Sequence, residues 1–177
     1  MACVALAAAL APLPAAAQQS QSYALTTAEI TDGITMGNAG DMDFGRILPT
    51  GTNGTIVMTP SAAATCAITG GLIRTGPCKA AAFVGAAFTG ADVRVHRPTG
   101  DRIDLTGPGA ATIRLQDFTF GSTGTTVMQG GNGPNPKFRV DALDGVYLFF
   151  VGGTLNVAGN QAVGFYNGTF DIRINFN

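Results

Sequence analysis

From Phe170 to Asn177 the chain alternates without a break, with Phe170, Ile172, Ile174 and Phe176 on one side and Asp171, Arg173, Asn175 and Asn177 on the other. A period of two marks a strand with one buried and one wet face, so it predicts a final strand whose core side is Phe170, Ile172, Ile174 and Phe176. The same rhythm recurs upstream. Val93 and Val95 alternate with Asp92, Arg94 and His96, and Arg97-Pro98-Thr99-Gly100 closes that strand with a turn. Ile103 and Leu105 continue in phase until Thr106-Gly107-Pro108-Gly109 breaks it. Ile113 and Leu115 share one phase whereas Phe118 and Phe120 take the other, and the shift at Gln116-Asp117 predicts a bulge or a sheet switch. Phe138 and Val140 begin a further strand, and the dense apolar run over residues 147–151 suits a central one.

The remaining segments are less regular. Residues 41–49 hold a short strand and a turn, Thr55 to Thr59 is a β-branched strand bounded by Gly54 and Pro60, and residues 80–88 are small and apolar. Residues 121–136, rich in Gly, Thr, Asn and Pro, read as the longest loop. Residues 23–36 have a strand-like phase interrupted by Asp32, with a kink at Gly33. No window carries a helical stripe, and there is no internal repeat. Strand candidates about ten residues apart, separated by turn signals, make the chain all-β and predict an antiparallel β-sandwich.

Composition narrows this picture. At 177 residues the chain holds one core of ordinary size, and 25 Gly with 9 Pro fit a domain of many tight turns. A charged fraction of 12% and a formal net charge of −1 leave no basic stripe along the sequence, which argues against a nucleic-acid partner. Low charge also means weak self-repulsion, which suits a subunit that packs against copies of itself. Residues 1–17 read as the apolar core and small-residue cleavage site of a secretory signal, lacking a positive n-region that an upstream start would supply. Residues 18–41 then form an N-terminal extension and residues 42–177 the sandwich, with no membrane segment after signal cleavage. Of three cysteines, Cys3 leaves with the signal, so Cys66 and Cys78 are an even pair in an exported chain and predict a disulfide.

The inventory for catalysis is thin. There is no G-x-S-x-G elbow, and the single histidine, His96, has no Ser or Cys at a useful spacing and sits on the outward side of its strand. Asp41 and Asp43 share a strand face but lack the run of oxygen ligands a calcium loop requires. Gly130-Gly131-Asn132-Gly133 precedes no helix that would aim amides at a phosphate. Asn53-Gly54-Thr55 and Asn167-Gly168-Thr169 match the glycosylation acceptor and also read as Asn-Gly turns. A sugar-binding platform would normally want exposed Trp or Tyr, and there is no Trp. The expectation is a protein that is not an enzyme and uses no cofactor or metal.

Two motifs carry a resemblance. Asp43-Phe44-Gly45 with Ile47-Leu48-Pro49, and Gly152-Gly153-Thr154-Leu155-Asn156-Val157 followed by Asn160-Gln161 and Tyr166-Asn167-Gly168-Thr169-Phe170, resemble the opening and C-terminal signatures of the DUF4402 family of exported bacterial proteins. In outline that family is similar to spore-coat-U-like domains, which include subunits of archaic chaperone–usher pili. The resemblance implies an immunoglobulin-like sandwich, completed by a donated N-terminal strand, in a pilin or fimbrial subunit. Its implied partners are copies of itself, a periplasmic chaperone and an outer-membrane usher, and its location is the cell surface. The candidate donor strand is residues 23–36, with Tyr23, Leu25, Thr27, Ile30, Ile34 and Met36 as its side chains and residues 22–30 as a shorter form. The alternative is a monomeric, self-complemented surface or periplasmic sandwich that binds a glycan.

Overall fold

The computed structural model describes residues 35–130, 133 and 135–176, which form two antiparallel sheets packed face to face. The larger contains β1 (Thr35–Gly40), β2 (Arg46–Met58), β3 (Cys66–Thr75), β4 (Ala81–Ala86), β6 (Arg102–Thr106), β7 (Thr112–Ser122) and β10 (Val146–Val157). The smaller runs in the order β11 (Arg173–Phe176), β5 (Asp92–His96), β9 (Lys137–Val140), β8 (Thr126–Gln129). The predicted all-β sandwich is the observed fold.

The middle of the large sheet is β10. One flank pairs with β4 through residues 146–151 and then with β2 through residues 153–157, while the other pairs with β7. The changeover falls at Gly152-Gly153. A Cβ on Gly152 would overlap the Met58 carbonyl, and one on Gly153 would lie 3.1 Å from Leu115 Cδ1, so the two glycines allow three strands to meet at this point. Opposite them the β7 register shifts, and Asp117 takes a φ of 54°. This is the bulge expected at Gln116-Asp117, and it turns Ile113 and Leu115 before it and Phe118 and Phe120 after it to the same buried side.

The core is aromatic. Phe149 on β10 lies within 5.5 Å (ring centroids) of both Phe83 and Phe138, and within 6.4 Å of Phe120. Val93, Val95, Phe138 and Val140 supply the facing side from the small sheet.

The β2–β3 ribbon folds back on itself. Nine residue steps along β3 would span about 30 Å if extended, yet the Cα atoms of Cys66 and Cys78 are 6.0 Å apart and their sulfurs are bonded. The bend lies where the ladder jumps between Pro49 and Gly54, opposite Gly70 with φ +75°. Any Cβ on Gly70 would overlap the Asn53 carbonyl, and one on Gly71 the Thr52 hydroxyl. Asn53-Gly54 is thus part of a bulged strand and not the turn its sequence suggests, and Asn53 Oδ1 accepts a hydrogen bond from the Gly159 amide at 2.9 Å.

Four further expectations are corrected. Residues 121–136 contain β8, which pairs with β9. Thr35–Gly40, read above as part of the N-terminal extension, forms a strand of the large sheet, pairing with β4 with Met36 opposite Gly85. The final strand starts at Arg173, since Phe170 to Ile172 carry the chain from one sheet to the other before the ladder with β5 begins. Finally, Asn167-Gly168 makes no hairpin; Asn167 exchanges both backbone hydrogen bonds with Thr106 at the outer edge of β6.

Candidate strand-binding edge

Among the described residues the final strand is an edge. Arg173 to Phe176 pair with His96 to Val93 of β5, and no strand among the described residues pairs with the other side of β11. Directly opposed side chains share a face, so Ile174 lies beside Val95 and Phe176 beside Val93. Val95 and Val93 are 0% and 1% exposed, whereas Ile174 and Phe176 are only half-buried. Among the described residues the apolar face therefore extends to the edge strand, where its burial is only partial. Phe176 stacks at 6.4 Å on Phe88, a ring that is itself 73% exposed. Ile172 is buried and Phe170 is half-buried against Phe118 at 5.1 Å, so all four final-strand residues pack against the core, Ile172 the most deeply.

A groove of about 620 Å³ adjoins this edge, between the start of β6 and β11. Its lining includes Arg102, Ile103, Phe170, Arg173 and Asn175, together with residues 96–99. β6 is also an edge strand, pairing with β7 and held on its outer side by the bridge from Thr106 to Asn167.

The signature residues prove to be structural supports. Asp43 Oδ1 accepts from the Gly45 amide at 2.7 Å, and Gly45, at φ +75°, packs so closely that a Cβ would meet the Pro77 carbonyl at 2.7 Å. Arg74 Nε donates to the Phe44 carbonyl at 2.6 Å, and Asp43 bridges Lys79 beside the disulfide. At the other end, Tyr166 donates to the Ala162 carbonyl at 2.7 Å and accepts from Gln161 Nε2 at 2.8 Å, while Gln161 also donates to the Thr112 carbonyl at 3.1 Å. The Tyr166 ring lies against Gly107 with no room for a Cβ. These bonds fix residues 161–168 to the β6–β7 hairpin and so aim the chain at the edge it becomes. Sequence reasoning named the signature residues but not this role, because the contacts that anchor them, Arg74 to Phe44 and Gln161 to Thr112, join segments far apart in the chain.

His96 Nε2 meets the Asn175 amide nitrogen at 3.2 Å on the outer side of the small sheet. Asp41 Oδ1 accepts from Asn38, so the two aspartates serve separate turns. Among the described residues no group of three or more His, Cys, Asp or Glu is placed to hold a metal ion, and no helix is long and apolar enough to cross a membrane. Of the candidate donor residues, Met36 is placed in β1; Tyr23, Leu25, Thr27, Ile30 and Ile34 lie outside the described residues.

No curated protein and no solved structure matches the chain. The family model of DUF4402, a domain of unknown function, matches residues 34–176, which spans both signatures and every described strand. The chain belongs to the DUF4402 family.

Proposed function

We propose that this protein is an exported structural subunit that joins to copies of itself by strand addition at the outer edge of β11. The observation that carries the reading is the step in burial across one ladder, from Val95 and Val93 to the half-buried Ile174 and Phe176. An added strand would complete that burial and pair the free backbone groups of β11. With four or five side chains newly buried, it would gain on the order of 6–15 kcal/mol at about 1.5–3 each. The donor is the segment upstream of β1, residues 22–34, now excluding Met36. An immunoglobulin-like sandwich assembled as a surface filament, with a periplasmic chaperone and an outer-membrane usher as partners, is the biological form of this reading.

One observation favours a second reading. β1, expected at the end of the donor, pairs within its own chain. A segment tethered that closely has a high effective concentration at its own sheet, which supports a self-completed, monomeric surface or periplasmic domain that binds a glycan.

The two separate in one experiment. Strand-exchanged polymers give an SDS-resistant ladder in unboiled samples, and deleting residues 18–34 abolishes it while a peptide of residues 22–34 binds the truncated protein. A single monomer band from fully stable full-length protein, with no ladder, overturns assembly and leaves the self-completed form.

A further inference from the structure

The outward face of the small sheet concentrates charge. In β5, β9 and β11 the inward residues are Val93, Val95, Phe138, Val140 and Ile174, so the alternate positions point out. Cross-strand register then sets Arg94 beside Lys137 and Asn175, Arg139 beside Asp92, and Arg173 beside His96. Arg94, Lys137, Arg139 and Arg173 are four of the ten Lys and Arg residues in a chain whose net charge is −1. With strands about 4.8 Å apart and alternate residues about 6.7 Å apart, these cations form a compact array.

Little acid offsets them. Asp92 pairs with Lys137 at 3.3 Å, Asp171 lies just before β11, and Asp141 follows Arg139 in the outward phase at the end of β9. Among the described residues Arg94, Arg139 and Arg173 have no carboxylate partner, and Arg94 Nε is buried without a hydrogen-bond acceptor. Guanidinium groups without a carboxylate partner leave their charge available to an oxyanion brought from outside.

We propose that this face binds an acidic polysaccharide, a linear chain with repeating carboxylates or sulfates. Guanidinium forks match such oxyanions in pairs, and a flat sheet accommodates an extended polymer. Neither phenyl, phenol nor indole stands among these outward residues, so a neutral sugar or an unstacked base has no ring to lie on. Val127, beside Arg139 on β8, is the single large apolar side chain on the face, too little to anchor in a bilayer. The inference is independent of whether the chain polymerises.

The test uses the full chain with heparin and polygalacturonate as probes and dextran as the uncharged control. Wild type should bind both polyanions at low ionic strength, release them at about 0.5 M salt where screening is strong, and ignore dextran. Arg94→Gln with Arg139→Gln and Arg173→Gln should weaken binding by about ten-fold or more, whereas Arg46→Gln with Arg114→Gln should leave it within about two-fold. Amide chemical-shift mapping with a heparin oligosaccharide keeps the test valid if the triple variant folds poorly: shifts should centre on β5, β9 and β11. The proposal is overturned by absence of polyanion binding, by equal loss in the control variant or by shifts centred elsewhere. Binding only to anionic vesicles, to nucleic acid or to a second copy of the chain also overturns it.

Discussion

The phenol of Tyr147 donates a hydrogen bond to the carbonyl of Thr35 at 2.9 Å, passing over Gly85, where a Cβ would overlap both groups. This contact joins the central strand to the first described strand across β4, and it gives β1 a side-chain tie in addition to its ladder. Tyr147→Phe should therefore cost about 1 kcal/mol, and hydrogen exchange should show faster opening of β1 than of β4. Gly85→Ala, which forces the ring and the carbonyl apart, should cost about 1–3 kcal/mol in a denaturant titration.

The same phenol makes stability depend on alkaline pH. Burial pushes the Tyr147 pKa from 10.0 up to about 12. In the unfolded chain the group ionises near 10, so between the two values the folded state holds a proton that the unfolded state has released. The stability contributed by the neutral phenol is complete below pH 10 and is lost as pH rises toward 12. Unfolding midpoints measured across that window should fall more steeply for wild type than for Tyr147→Phe; parallel curves would refute the assignment.

The Cys66–Cys78 bond closes a loop with a sequence separation of 12. Replacing both cysteines with serine should cost about 3 kcal/mol in the chain-entropy account. In unreduced, denatured protein, thiol labelling should find neither residue free.

Along the crossing into the last strand, Ile172 is buried and Arg173 exposed. Ile172→Ala should destabilise by about 2–4 kcal/mol, and Arg173→Ala by less than about 0.5. Ile174→Ala should fall between them in an isolated monomer. In an assembled polymer it should approach Ile172→Ala, because an added strand would finish its burial.

At the β7 bulge, Asp117 is a non-glycine residue at φ 54°. Asp117→Gly should be neutral or mildly stabilising, whereas Asp117→Val should cost roughly 1–2 kcal/mol, since branching at Cβ is poorly tolerated there.

Much of this architecture was legible because period-two alternation is a local signal of burial. The shift between Leu115 and Phe118 located a bulge, and the run from Tyr147 located the central strand. Where partners rather than composition decide, the sequence was silent. Thr35–Gly40 carries almost no apolar pattern and is a strand because β4 lies beside it. Thr126–Gln129 is only four residues long within a glycine-rich stretch. Asn53-Gly54 has the composition of a tight turn, but the folded ribbon uses it to bend a strand. At the candidate edge, alternation identified the inward residues of β11, yet Val95 and Ile174 look equally apolar in sequence. Only their order across the sheet separates a covered side chain from a half-covered one.

The central position of β10 has a kinetic consequence. Its three partners, β2, β4 and β7, all precede it, and its own residues are 146–157. During synthesis from the N-terminal end, the large sheet lacks its middle until most of the chain has emerged. Until then the flanks of three strands stand open, a hazard for mispairing that grows with the delay. The β2–β3 ribbon and its disulfide need only nearby residues and can form at once. Maturation should thus show early oxidation followed by slow acquisition of protease resistance, with the second step timed by the arrival of Val157.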